Sequence, residues 1–160
     1  MTIVAKEKTG QSLISEKLFD RLTSRVQIEQ SMDRELASRI TDQALAFLGT
    51  CAVCTVPLSP SVQVDIGWHT FLMYTREYRE FCTKVAGRFI DHEPQDAEDR
   101  SPALATTATN RTVTEILKAG YAVDQELWGV LAAKCNDGEK CRASGKDGNE
   151  NTDTNDPEKR

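Results

Sequence analysis

The feature that most constrains the fold is a series of helix-start signals, each followed by apolar residues at helical spacing. Ser15 precedes residues 16–30, in which apolar side chains recur every three or four positions. Ser31 or Asp33 begins a second segment of this kind, which runs to about Val53. Because apolar residues three or four apart share one face of an α-helix, these segments predict two long amphipathic helices.

Further start and stop signals divide the rest of the chain in the same way. Ser59-Pro60 and Ser101-Pro102 each combine a capping hydroxyl with a proline at the first helical position. Thr75 can cap a helix that Gly87 ends, and Asp124 can cap a last one bearing Leu127, Trp128 and Leu131. No segment alternates apolar and polar residues convincingly. The sequence therefore predicts an all-α fold, a compact bundle of five or six helices with mostly short connections.

The domain boundaries follow from where apolar residues stop. Residues 136–160 contain no Val, Ile, Leu, Met, Phe, Trp or Tyr, and such a segment cannot offset the entropy cost of ordering. We therefore predict a flexible N-terminus over residues 1–11, a helical domain over residues 12–134 and a disordered polar tail over residues 135–160. An acidic segment at residues 91–100, with five acids and one base, follows the fourth predicted helix.

Charge and composition exclude several classes of partner. The net charge of −5 and the pI of about 5.1 argue against a nucleic-acid-binding surface. No apolar run approaches the roughly 18 residues that a membrane span needs, so we expect no membrane partner. The phosphate- and dinucleotide-binding glycine motifs are absent, so no nucleotide cofactor is expected. No secretory signal is evident, and five cysteines, an odd number, favour a reducing cytoplasm.

The two histidines of the chain are the strongest candidates for a functional site. Asp65 and His69 are four residues apart, so they share one helix face, and Asp91 directly precedes His92. The helix between them ends at Gly87 and can fold back to bring the two imidazoles together. Two imidazoles with one or two carboxylates form a ligand set suited to zinc or iron. The alternative is structural, a pair of local Asp–His contacts in which His92 is solvated.

A longer segment around these residues resembles a known family. Residues 64–94 read VDIGWHTFLMYTREYREFCTKVAGRFIDHEP and are similar to the glycine-rich-domain-containing-protein-like family, a domain of unknown function. That family carries D-x-x-W-H-T-H, a tyrosine-bearing helix and G-x-x-x-D-H-D. The resemblance implies a preserved polar group comprising Asp65, Trp68, His69, Thr70, Tyr78, Gly87, Asp91 and His92.

The chain departs from that family pattern at two places. Phe71 replaces the second histidine of W-H-T-H, and Glu93-Pro94 follows the last histidine. If Phe71 replaces a ligand, the metal coordination is weakened or incomplete. The chain has no glycine-rich or RNA-binding segment. We therefore do not expect it to share the functions of family members that carry such a segment.

The cysteines offer weaker candidates. Cys51 and Cys54 form a C-x-x-C motif at the C-terminal end of a predicted helix, whereas redox-active motifs lie at N-terminal ends. A zinc site with Cys135 and Cys141 would need a wider spacing than usual. Cys82 is interpreted as a small core residue, with a role as a third ligand as the alternative.

Two functions fit these residues. The first is a helical metal-binding protein, an enzyme or an accessory protein acting with a small molecule, in which His69, His92, Asp65 and Asp91 supply ligands. Trp68, Thr70, Tyr78 and Cys82 would then lie beside the site. The second is a non-catalytic module that binds a protein or peptide and in which the same block is structural.

Overall fold

The computed structural model describes residues 5–94 and 101–129. Six α-helices follow a 3-10 helix at Gly10–Leu13, and the described residues contain no β-strand. The helices are α1 (Glu16–Gln30), α2 (Arg34–Val53), α3 (Val62–Met73), α4 (Thr75–Ala86), α5 (Pro102–Lys118) and α6 (Gln125–Trp128). The predicted all-α fold of five or six helices is confirmed. Leu131 and the predicted tail lie outside the described residues.

Several predicted caps are present at the helix starts. The side chains of Ser15, Asp33 and Ser101 accept hydrogen bonds from the backbone N–H of Leu18, Leu36 and Leu104. Each bond satisfies an amide that has no partner inside its own helix. At the far end of α4, Gly87 adopts a left-handed conformation with φ of 70°, as the stop signal predicts.

Two predicted helix starts were wrong. The third helix begins at Val62 with Ser61 as its cap, two residues after the predicted start at Ser59-Pro60. Ser59 instead exchanges backbone hydrogen bonds with the Thr112 hydroxyl of α5, which holds this stretch outside the helix. Thr75 is the first residue of α4, and Tyr74, which precedes it, makes no side-chain cap.

The core is organised around α2, which contacts α1, α3, α4, α5 and the 3-10 helix. Its central residues Leu45, Ala46, Phe47 and Leu48 are almost completely buried. Burial of this apolar surface is the main term that stabilises the bundle. Because α3 packs directly on α2, the position of α3 and of the side chains it carries is set by the core.

The helices α2 and α3 approach closely at Gly67. A Cβ atom at this position would lie 2.7 Å from the Ala44 Cβ and 3.0 Å from the Ile40 carbonyl oxygen. Only glycine fits this crossing without displacing backbone. Gly67 lies between Asp65 and Trp68, so the close approach also determines where those two side chains lie.

Within the described residues, no helix is both long enough and apolar enough to cross a lipid bilayer.

Candidate metal centre

Asp65, His69 and His92 lie together at the surface of the bundle, and we call them the histidine cluster. One nitrogen or oxygen atom from each residue can be chosen so that all three atoms lie within 4.8 Å of one another. The two imidazole rings are 4.4 Å apart between centroids. The structure therefore brings both histidines of the chain together around one carboxylate.

The Asp65 carboxylate lies between the two imidazoles. His92 Nε2 lies 3.0 Å from Asp65 Oδ1, and His69 Nε2 lies 3.1 Å from Asp65 Oδ2. An ionised carboxylate can only accept hydrogen bonds, so the His92 contact requires the proton on Nε2. His69 and Asp65 meet because they are one turn apart on α3.

The two histidines differ sharply in their surroundings. The side chain of His92 is 13% exposed, whereas that of His69 is 60% exposed. The His92 ring packs against the indole of Trp68, with 4.3 Å between ring centroids. One side of the cluster is therefore enclosed by protein, and the side formed by His69 is open to solvent.

A buried pair of side chains, Trp68 and Tyr78, lies behind His92. Trp68 Nε1 donates to the Tyr78 hydroxyl at 2.9 Å, and that hydroxyl donates to the Ile90 carbonyl oxygen at 2.6 Å. Burial raises the pKa of Tyr78 well above its ordinary value, so the hydroxyl keeps its proton at neutral pH. The Ile90 carbonyl is a contact that the sequence pattern did not identify, because no residue type marks a backbone acceptor.

Three other predicted site residues are not among the grouped ligands. Asp91 is exposed and is not one of the three grouped residues. Thr70 is buried, and its hydroxyl donates to the Ile66 carbonyl within α3. Cys82 is fully buried, as expected of a core residue, and is not in the group.

The C-x-x-C motif contains one thiol, that of Cys51, whose pKa is raised. Cys51 and Cys54 are free, and burial, with Cys54 nearby, raises the pKa of Cys51 to about 12. A thiol with a raised pKa holds its proton and is a poor nucleophile at neutral pH. Cys135 and Cys141 lie outside the described residues, so the four-cysteine zinc site stays a prediction.

Comparison with known proteins gives a family but no activity. The chain matched no curated protein and no solved structure. Residues 10–115 match the family described as UCP032817-like. The matched range covers α1 to α4 and most of α5. That description says nothing of a glycine-rich domain, so the resemblance drawn from residues 64–94 stays a prediction. Since the match spans more than half of the 160 residues, the chain belongs to the UCP032817-like family.

Proposed function

We propose that this protein binds one divalent transition-metal ion, zinc or iron, through Asp65, His69 and His92. The observation that carries the proposal is the grouping of these three ligand atoms within 4.8 Å. His92 and Asp65 are 27 residues apart in sequence, so local helix geometry cannot explain why they meet. Residues 64–94 resemble a family that carries the Asp and His positions of Asp65, His69 and His92, although Phe71 stands where that family has a further histidine.

The distances around Asp65 suit a metal ligand set. Two ligand atoms bound at about 2.0–2.1 Å to one ion, at tetrahedral or octahedral angles, lie about 2.8–3.4 Å apart. The His92–Asp65 and His69–Asp65 contacts of 3.0 and 3.1 Å fall in this range. They reach different oxygens of Asp65 and also equal ordinary hydrogen-bond lengths, so the grouping within 4.8 Å is the observation that carries the proposal. Binding would remove the proton from each coordinating imidazole nitrogen, so metal affinity would weaken in acid.

The exposure of His69 indicates what such a site could do. Three protein ligands leave at least one coordination position open, and zinc sites of this composition hold water or substrate there. The open side formed by His69 gives a small molecule access to that position. A metal ion at this position could polarise a bound molecule or activate water, which is the chemistry we propose for an enzymatic role.

A second candidate, a peptide-binding module, is favoured by a groove lined mainly by α1. An open cavity of about 420 Å³ lies beside the aromatic ring of Tyr74. Its lining combines apolar and charged side chains, namely Asp20, Arg21, Ser24, Arg25, Ile28, Glu29 and Tyr74. In this alternative the histidine cluster only holds residues 87–94 against α3.

Metal analysis of protein purified without a histidine tag tests the first proposal. We expect about one ion per chain in the parent, or after loading with Zn²⁺ or anaerobic Fe²⁺. Stoichiometric metal should be lost in His69→Ala, His92→Ala and Asp65→Asn. Asp91→Asn is the matched control, since this neighbouring carboxylate is exposed, and it should keep its metal.

Circular dichroism and urea unfolding separate ligand loss from loss of fold. His69 is largely exposed, so His69→Ala should change the free energy of unfolding of the metal-free protein by less than about 0.5 kcal/mol. A parent that cannot be loaded with either metal would remove the metal proposal. Metal that persists in folded His69→Ala and His92→Ala would remove it equally.

A further inference from the structure

The segment that carries His92 has no regular structure, and its anchors include a hydrogen bond from Arg88 to the Cys51 carbonyl oxygen at 3.0 Å. Residues 87–94 follow α4 and form no helix or strand. Ile90 is 4% exposed, and its carbonyl oxygen accepts the 2.6 Å hydrogen bond from Tyr78. Phe89 packs its ring against the ring of Tyr78, with 5.3 Å between centroids. Tyr78 is therefore a principal anchor of the backbone immediately before His92.

The same hydroxyl also fixes the surface on which the His92 ring rests. Trp68 donates its indole N–H to Tyr78, and the Trp68 ring contacts the His92 ring. One oxygen atom thus contacts both the indole and the backbone that leads to His92. Tyr78 is 1% exposed and packs edge-on against Phe71, so its own position is fixed by the core.

We infer that Tyr78 is a positioning residue that places the His92 imidazole against Asp65 before metal binds. This inference rests on the proposed metal-binding function. Asp65 and His69 are held one turn apart by α3, whereas His92 reaches them from a segment without regular structure. A ligand held in place beforehand loses less conformational freedom on binding, so the metal affinity depends on the anchor.

The expected loss of metal affinity can be estimated from hydrogen-bonding partners of metal ligands in other proteins. Loss of a hydrogen-bonding partner behind a metal ligand typically costs about 10–100-fold in metal affinity. Tyr78 acts on His92 through Trp68 and Ile90 and not by a direct bond. We therefore expect the lower part of that range, about 10–30-fold.

Tyr78→Phe tests this role because it removes only the hydroxyl and keeps the aromatic ring. Co²⁺ is the probe, since its visible absorption reports both affinity and coordination geometry. We expect weaker Co²⁺ binding and an altered visible spectrum in Tyr78→Phe. Tyr121→Phe is the matched control, since Tyr121 is also buried but belongs to the contact with Lys8, and it should bind as the parent does.

An unchanged Co²⁺ affinity and spectrum in folded Tyr78→Phe would overturn the inference while leaving the metal proposal intact. If Tyr78→Phe loses its helical circular dichroism, Trp68→Phe replaces it. That variant removes the indole N–H and should also weaken binding and alter the spectrum; unchanged binding would contradict the inference.

A second measurement works on metal-free protein, so failure of the metal proposal does not affect it. The chain has two histidines, and His92→Ala assigns their two imidazole Cε1–H signals by proton NMR. The Trp68 ring should shift the His92 signal in the parent, and Tyr78→Phe should move it toward the position of an exposed histidine. The inference is wrong if that signal stays in place, whether or not the parent binds metal.

Discussion

Two groups of polar side chains join distant parts of this chain, and they differ in how exposed their side chains are. One is the histidine cluster. The other, which we call the Arg39 network, comprises Arg39, Gln43, Asp124 and Trp128. Arg39 binds both carboxylate oxygens of Asp124, at 2.7 and 3.0 Å. Gln43 Oε1 accepts from the Trp128 indole at 2.7 Å and from the Asp124 backbone N–H at 3.1 Å.

The difference indicates separate roles for the two groups. In the Arg39 network, the Gln43 amide also donates to the Ala122 carbonyl oxygen, so both ends of this buried side chain are paired. A paired, partly buried network of this kind specifies structure, here the attachment of residues 122–128 to α2. In the histidine cluster, Asp65 contacts the two imidazoles through different oxygens, and the side chain of His69 stays exposed. Under the metal proposal, an incoming ion would replace these contacts.

The largest expected effect comes from Gly67→Ala, which disturbs the packing between α2 and α3. The first of these helices carries Arg39 and Gln43, and the second carries Asp65 and His69. The new Cβ would collide with Ala44 and the Ile40 carbonyl, and such overpacking typically costs about 1–3 kcal/mol. Displacement of α3 should also weaken metal binding. Urea unfolding and Co²⁺ titration measure the two effects. Gln63→Ala, at an exposed position of α3, is the control and should change neither.

Equal stability and metal affinity in Gly67→Ala and the parent would show that α3 can shift freely on α2. The position of the histidine cluster would then not depend on the core, contrary to the fold described above.

Asp124→Asn tests the Arg39 network alone. The hydrogen bonds from Arg39 lower the pKa of Asp124 below its ordinary value. Its ionised form therefore stabilises the fold above the unfolded-state pKa, and this contribution is lost as pH falls through the lower folded-state pKa. We expect the variant to be about 1–2 kcal/mol less stable at pH 7, between the values typical of exposed and buried ion pairs.

The difference between parent and Asp124→Asn should shrink as the pH falls below about 4, the ordinary pKa of aspartate. Urea unfolding at several pH values measures it. Asp20→Asn, which breaks an exposed pair with Arg34, is the control and should have little effect. Loss of metal from Asp124→Asn would show that the histidine cluster depends on the Arg39 network, contrary to the separate roles proposed for them.

The smallest effect is expected at Thr23, a buried polar residue that belongs to neither group. Among the described residues, its hydroxyl has no hydrogen-bond partner. Thr23→Val removes an unpaired polar atom at nearly constant shape, so it should raise the free energy of unfolding by up to about 1 kcal/mol. Thr41→Val is the contrast, because the Thr41 hydroxyl donates to the Ala37 carbonyl at 2.8 Å. Thr41→Val should lower the free energy of unfolding, measured by urea unfolding, and any loss of stability in Thr23→Val would contradict this interpretation.

Local sequence signals predicted the helices well where a cap and the apolar spacing agree. Ser15, Asp33, Ser101 and Gly87 mark helix ends through interactions with residues close in sequence. The Ser59-Pro60 signal failed because a contact with Thr112, 53 residues away, competes with the local preference. The sequence around Ser59 contains no pattern that predicts a contact with Thr112.

The candidate site, too, could be predicted where it depends on residues close in sequence and not where it depends on distant ones. The pairing of Asp65 with His69 follows from their spacing on one helix. The expectation that His92 folds back toward them rested on the Gly87 stop and on a resemblance. The choice of Asp65 over Asp91 as the central carboxylate could not be predicted, because it depends on the side to which residues 87–94 turn.

The sequence by itself determined the helical class, most helix ends and the Asp65–His69 pair, since all of these arise from residues within one or two helical turns. Only the tertiary structure decided that Tyr78 links Trp68 to Ile90 and that Arg39 meets Asp124. Those contacts depend on the packing of whole helices at positions such as Gly67. Packing is set by the combined shape of many side chains, which no single spacing in the sequence encodes.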